Sequence, residues 1–296
     1  MSRNPAIRVG IGGWTFAPWR GTFYPAGLTQ KRELEFASRH VTAIEINGTF
    51  YGTQKPESFA RWHDETPDDF VFALKGPRYT TNRRVLAEAG ASVERFLASG
   101  LLELKHKLGP INWQFPPTKQ FDAGDFEAFL KLLPPERDGH ALRHVVEVRH
   151  ASFACPACIA LLRAYGIGAV ITDNPAYPHL HDLTAPFVYA RLQCASADAA
   201  AGYPAATLDL WAAHARAWAA GKAPAALECL GSTGTQGRPG TRCFRVYDQW
   251  LQAPRPGRRH GPDRAPDLTR GFTKSRFRHW WRPPGIVRPA QSGISP

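Results

Sequence analysis

Nine side chains able to do chemistry recur at one kind of place. Glu45, Asn47, Tyr51, Lys75, Gln114, Glu147, Arg149, Asp173 and Arg191 each stand at, or a few residues past, the end of a short apolar run. The sharpest case is LRHVVEVRH, residues 142–150, where a β-branched run ends in Glu147, Arg149 and His150. An acid, a guanidinium and an imidazole are costly to bury unless they face a cavity or one another, so these ends are expected to meet around a polar pit. Lys75, Arg149 and Arg191 suit a phosphate or carboxylate. Asn47, Tyr51 and Gln114 add neutral hydrogen-bonding groups, and Glu147, Glu45 or Asp173 could move a proton. Such a set favours a small polar or anionic ligand, phosphorylated or sugar-like, and an enzyme of the hydrolase or isomerase kind.

A divalent metal held by strand-end carboxylates is the alternative chemistry. Only His150 follows an apolar run directly, and His179-Leu180-His181 with Asp182 reads as a solvated loop. Cys155-Pro-Ala-Cys158 has redox-motif spacing at a helix start, but it lacks the strand context of a thioredoxin and a second pair for zinc, so packing is the expectation. Ser152 and His150, two residues apart on one segment, are not expected to serve as a nucleophile and base. Trp113, Trp211 and Trp218 have the spacing of core residues rather than of a stacking surface.

The elements that carry these residues follow a repeating order. Strands are expected near residues 7–12, 43–46, 70–74, 108–115, 144–148, 168–172 and 187–192, with helices near 31–39, 56–63, 93–104, 125–132, 158–165 and 207–220. Alternation of this kind predicts a parallel α/β sheet, and polar residues at the C-terminal strand ends predict a TIM-barrel-like (β/α) barrel, whose sites lie at that face. A doubly wound open sheet would carry a Gly-rich phosphate turn; Gly10, Gly12 and Gly13 do not match G-x-G-x-x-G. The aromatics Trp14, Trp19, Phe23 and Tyr24 are expected to plug a barrel end.

Composition sets the outer bounds. The 296 residues, 43% hydrophobic with 9 Trp and 17 Phe, suffice for a sizeable core. No apolar run is long enough to cross a bilayer and the N-terminus lacks the apolar stretch of a secretory signal, so the cytoplasm is expected. The five cysteines do not make a disulfide framework. The net charge of +12 is uneven: residues 1–230 carry +2 and residues 231–296 carry +10. A basic tail of that kind could bind nucleic acid, but the body offers no comparable reason for such a partner.

The motifs IGGW (11–14), EINGTFY (45–51), FALKGPR (72–78), LGPINWQFPP (108–117), EVRH (147–150), TDNP (172–175) and VYARL (188–192) resemble the YecE-like family of proteins of unknown function, in order over roughly residues 7–222. The resemblance implies a TIM-barrel-like fold and the position of the site, and no established reaction. Family members generally carry Thr-His where this chain has Thr81-Asn82, Ser-Trp where it has Ser152-Phe153, and often His where it has Gln193. These departures weigh against mechanisms that need those imidazoles.

The same resemblance implies an eighth strand and a final helix. Residues 231–296, with 18 Gly and Pro and only six Ile, Leu or Val, are expected to supply neither and to be a disordered basic tail beyond a barrel domain at 1–230. Dropping one base before the codon of Thr241 permits the reading RDVFVFMINGFK, followed two residues later by APAAAMALIERLI. A frameshifted tail is therefore an expectation of the sequence.

Overall fold

The computed structural model describes residues 7–196, 199, 201–231 and 242–247. Eight parallel strands close into a barrel: β1 (Ile7–Gly12), β2 (Ala43–Ile46), β3 (Val71–Lys75), β4 (Leu108–Gln114), β5 (Arg143–Glu147), β6 (Gly168–Thr172), β7 (Phe187–Leu192) and β8 (Arg242–Tyr247). Among the described residues, six helices of two turns or more lie between them: α1 (Glu33–His40), α2 (Pro56–Glu65), α3 (Gly90–Leu97), α4 (Ala123–Lys131), α5 (Pro156–Ala164) and α6 (Ala205–Ala219). This is the (β/α) barrel expected from the alternation of apolar runs.

One part of that expectation is corrected. The eighth strand is present, in the reading frame as written, inside the segment from which no strand was expected. β8 pairs with β7 from Arg242↔Phe187 to Tyr247↔Leu192 and with β1 from Ile7↔Cys243 to Ile11↔Tyr247, so it closes the barrel. The barrel thus extends past residue 230. The expectation of disorder and a missing helix for the remainder of the tail lies outside the described residues.

The pleat sorts each strand into two faces. Ala43, Val71, Ala73, Val145, Val170, Phe187 and Tyr189 pack together inside the barrel. Their alternates, Ile44, Phe72, Leu74, Ile111, Trp113 and Val146, turn outward and pack beneath the helices. Continuing the inward parity places Glu45, Lys75, Asn112, Gln114, Glu147 and Arg191 on the inner face near the C-terminal ends. Gly10 lets β1 approach β2 closely, since a Cβ there would stand 2.3 Å from the carbonyl oxygen of Ala43.

On the outward face, Trp113 Nε1 donates to His144 Nδ1 at 3.1 Å, and His144 Nε2 lies 2.8 Å from the Pro134 carbonyl. The imidazole therefore accepts on one side and donates on the other, which requires the neutral form. Burial depresses its pKa to about 4.

The aromatic loop after β1 does not plug the barrel. Trp14 packs edge-on against Trp62 of α2 and Phe72, and Phe23 against Phe36 of α1, so the cluster belongs to the outer layer. Trp211 and Trp218, on α6, are buried as core residues. Among the described residues no helix is long and apolar enough to cross a membrane.

Candidate functional site

Inward parity at four strand ends, those of β2, β4, β5 and β7, produces one connected network. Arg191 Nη1 donates to Glu147 Oε2 at 2.7 Å and its Nη2 forms an ion pair with Glu45 Oε1 at 3.1 Å. Asn112 Nδ2 donates to both carboxylates at 3.1 Å, and the Tyr189 hydroxyl donates to Glu45 Oε2 at 2.6 Å. Arg191, Glu45 and Asn112 are 0% exposed and Glu147 2%, so these charges are almost wholly removed from water. Charges buried this deeply persist only when mutually compensated.

A second, shallower layer faces the mouth. Arg149 places Nε and Nη2 at 2.9 and 2.6 Å from Glu147 Oε1, with its guanidinium 4.6 Å over the Tyr177 ring. Lys75 Nζ donates to Gln114 Oε1 at 2.7 Å and lies 5.2 Å over the Phe50 ring. Both cations are thus fixed in direction, Arg149 by a carboxylate edge and an aromatic face.

The loops bearing these groups are tied to the strand ends. Thr49, in the short helix Gly48–Tyr51, donates to the Lys75 carbonyl at 2.7 Å. Thr81, in the short helix Arg78–Thr81, donates to the Gln114 carbonyl at 2.6 Å. Such anchors hold a site in position before a ligand arrives.

The electrostatics divide the roles. Burial pushes the Glu147 carboxyl up, but Arg191, Lys75 and Arg149 outweigh it and hold the pKa well below the usual carboxylate range. Glu147 is therefore a permanent anion that aims two guanidinium groups. Burial first, and Glu45 second, keep Tyr189 a protonated phenol. The network holds two carboxylates against three cations, and Asn112 Oδ1 and Asn47 Oδ1 are buried without a hydrogen-bond partner.

Of the nine residues expected at the pit, six meet in the two layers: Glu45, Lys75, Gln114, Glu147, Arg149 and Arg191. Asn47 lies at the start of the Gly48–Tyr51 helix, while Tyr51 is 71% exposed on the rim against Arg78. Asp173 is committed to bracing: its oxygens accept from the Gln193 N–H at 2.6 Å and the Tyr203 hydroxyl at 2.7 Å. Arg191 sits in the deep layer, 0% exposed, between Glu45 and Glu147. Asn112 and Tyr189 went unnoticed, although each stands two residues before a named residue, Gln114 or Arg191, and shares its face.

The other constellations resolve as packing. Cys155 caps α5 and Cys158 is buried, with burial pushing its thiol up to about 12. His179 and His181 bond backbone carbonyls of Asn174 and Glu228. Among the described residues no group of three or more His, Cys, Asp or Glu is placed to hold a metal ion.

Eight parallel strands closed into a barrel, with a charged network at their C-terminal ends, define a TIM-barrel-like protein. The chain belongs to the family described as "Protein of unknown function DUF72", whose model it matches over residues 8–229. It is 32% identical to the UPF0759 protein YecE of Escherichia coli (strain K12) over 150 residues, 50% of each chain. It is 26% identical to the UPF0759 protein YunF of Bacillus subtilis (strain 168) over 116 residues, 38% of this chain and 40% of that one. The matched stretch thus spans half or less of these curated relatives. A DUF72 family protein of Thermotoga maritima shares the fold with a TM-score of 0.62 at 21% identity, over 82% of this chain and 91% of that one. One from Enterococcus faecalis gives 0.58 at 18% identity, over 82% and 88%.

Proposed function

We propose that the barrel mouth binds a small polar anion, phosphorylated or sugar-like, and that the protein is a cytoplasmic hydrolase or isomerase acting on it. The observation that carries this reading is the layering. The deep carboxylates consume Arg191, while Lys75 and Arg149 stand above them with their directions fixed and their surplus positive charge toward the mouth. A phosphate or carboxylate supplies the missing negative charge. Glu147 positions the guanidinium groups rather than taking a proton, and Glu45, linked to the Tyr189 hydroxyl, is the carboxylate assigned to proton movement. Gln114 and Asn47 hydrogen-bond the polar remainder of the ligand. Calorimetric titration with inorganic phosphate tests the anion site: Lys75→Met and Arg149→Gln should each weaken binding roughly ten-fold or more. Binding at wild-type strength in both variants would end the proposal.

The second reading is a non-catalytic module for nucleic acid or an anionic metabolite. Two arginine–tyrosine pairs on the rim, Arg78 with Tyr51 and Arg149 with Tyr177, favour it, since such pairs both stack on bases and meet phosphates. Salt-dependent binding of random DNA by a chain ending just after Tyr247, which keeps β8, would support it. A shift before the codon of Thr241 would replace Arg242–Tyr247, the strand that closes the barrel in the frame as written, so this strand argues against the frameshift expected from the sequence.

A further inference from the structure

The chain beyond β5 does not stay extended. After His150 it turns into the 3-10 stretch Ala151–Phe153, with His150 as its N-cap. The two side chains meet at that turn, His150 Nδ1 lying 2.8 Å from Ser152 Oγ. Two neighbours settle the direction of that bond. The backbone N–H of Ser152 points at the same Nδ1 at 3.2 Å, and an N–H only donates, so Nδ1 carries the lone pair. The N–H of Phe121, from the loop after β4, donates to Ser152 Oγ at 2.8 Å, which leaves the hydroxyl hydrogen directed at the imidazole. Capping the turn requires only the Ser152 N–H. It requires neither the hydroxyl nor a donor brought from a second loop. Ser152 is also exposed, within reach of a reagent.

We propose that Ser152 is a catalytic nucleophile, with His150 as its general base, for acyl transfer from small carboxylic esters to water. Ser152 Oγ attacks the acyl carbon while its proton passes to His150 Nδ1. The ester C–O bond breaks and the alcohol leaves with that proton. Water, giving its proton to the same nitrogen, then attacks the acyl-serine; the acid departs and the proton returns to Oγ. This goes beyond the anion site, because the serine reacts whether or not the mouth is filled.

Incubating the full-length protein with an alkyl fluorophosphonate tests it, the P–F bond breaking as the P–Oγ bond forms. One adduct is expected, on the peptide carrying Ser152, absent in Ser152→Ala and formed roughly 100-fold more slowly in His150→Gln. Hydrolysis of p-nitrophenyl acetate should fall with it. A wild-type protein that melts cooperatively yet carries no adduct on Ser152 overturns the proposal, as does His150→Gln labelling at the wild-type rate. Neither result depends on how well Ser152→Ala folds, and neither bears on phosphate binding at the mouth.

Discussion

Replacing Arg191 with methionine is expected to cost the fold about 3–5 kcal/mol, the range for removing one partner from a buried ion pair. The size follows from what is left behind. Glu45 and Glu147 sit at 0 and 2% exposure, and the lost guanidinium is their shared cation. Arg149 meets only Glu147, and Asn112 and Tyr189 offer hydrogen bonds but no charge. Two anions in a low-dielectric interior then repel one another. Arg191→Lys should fall between, since an ammonium keeps the charge but lacks the fork that spans two carboxylates. Urea denaturation at neutral pH measures both variants. A loss below about 1 kcal/mol for Arg191→Met, the scale of an exposed ion pair, would mean that water reaches the network.

Acid should destabilise the protein in two stages. His144 is held neutral with a pKa of about 4, against an ordinary 6.5 in the unfolded chain. Between those values the unfolded state binds more protons, so stability is full above about pH 6.5 and declines as pH falls toward 4. The 2.5-unit difference corresponds to about 3 kcal/mol. Glu147 acts lower down. Its folded pKa lies below the unfolded one, so its contribution is present above the ordinary carboxylate range and is lost as pH falls below it. His144→Gln, whose amide can both accept from Trp113 and donate to Pro134, should flatten the first stage alone. Denaturation at pH 7.5, 5.5 and 4 reads this out; an unchanged slope in His144→Gln would assign the first stage to another group.

Much of this was legible in the residues because the barrel strands are short, β-branched and bounded by polar ends. Ala43–Ile46, Gly168–Thr172 and Phe187–Leu192 form with the boundaries that their apolar runs announce. The eighth strand was hidden for a physical reason. RCFRVY holds two arginines three residues apart and lies among glycines and prolines, so composition spoke for disorder while pairing with two neighbours decides for a strand. At the site, strand ends showed which charges gather but not their depth. Depth depends on register and stagger across the barrel, and it separates Arg191, locked between carboxylates, from Lys75 and Arg149 above. The Ser152–His150 contact was missed although a spacing of two already puts both side chains on one face, and the turn at Ala151–Phe153 brings them within hydrogen-bond distance.

The closing strand also bears on how the molecule is made. β1 and β8 lie side by side in the barrel, yet more than 230 residues of synthesis separate them on the ribosome. Until β8 emerges, β1 and β7 present unpaired edges, the kind of surface that recruits chaperones or seeds aggregation. A nascent chain stalled after α6 should therefore bind chaperone and resist ring closure, however well its first seven strands have paired.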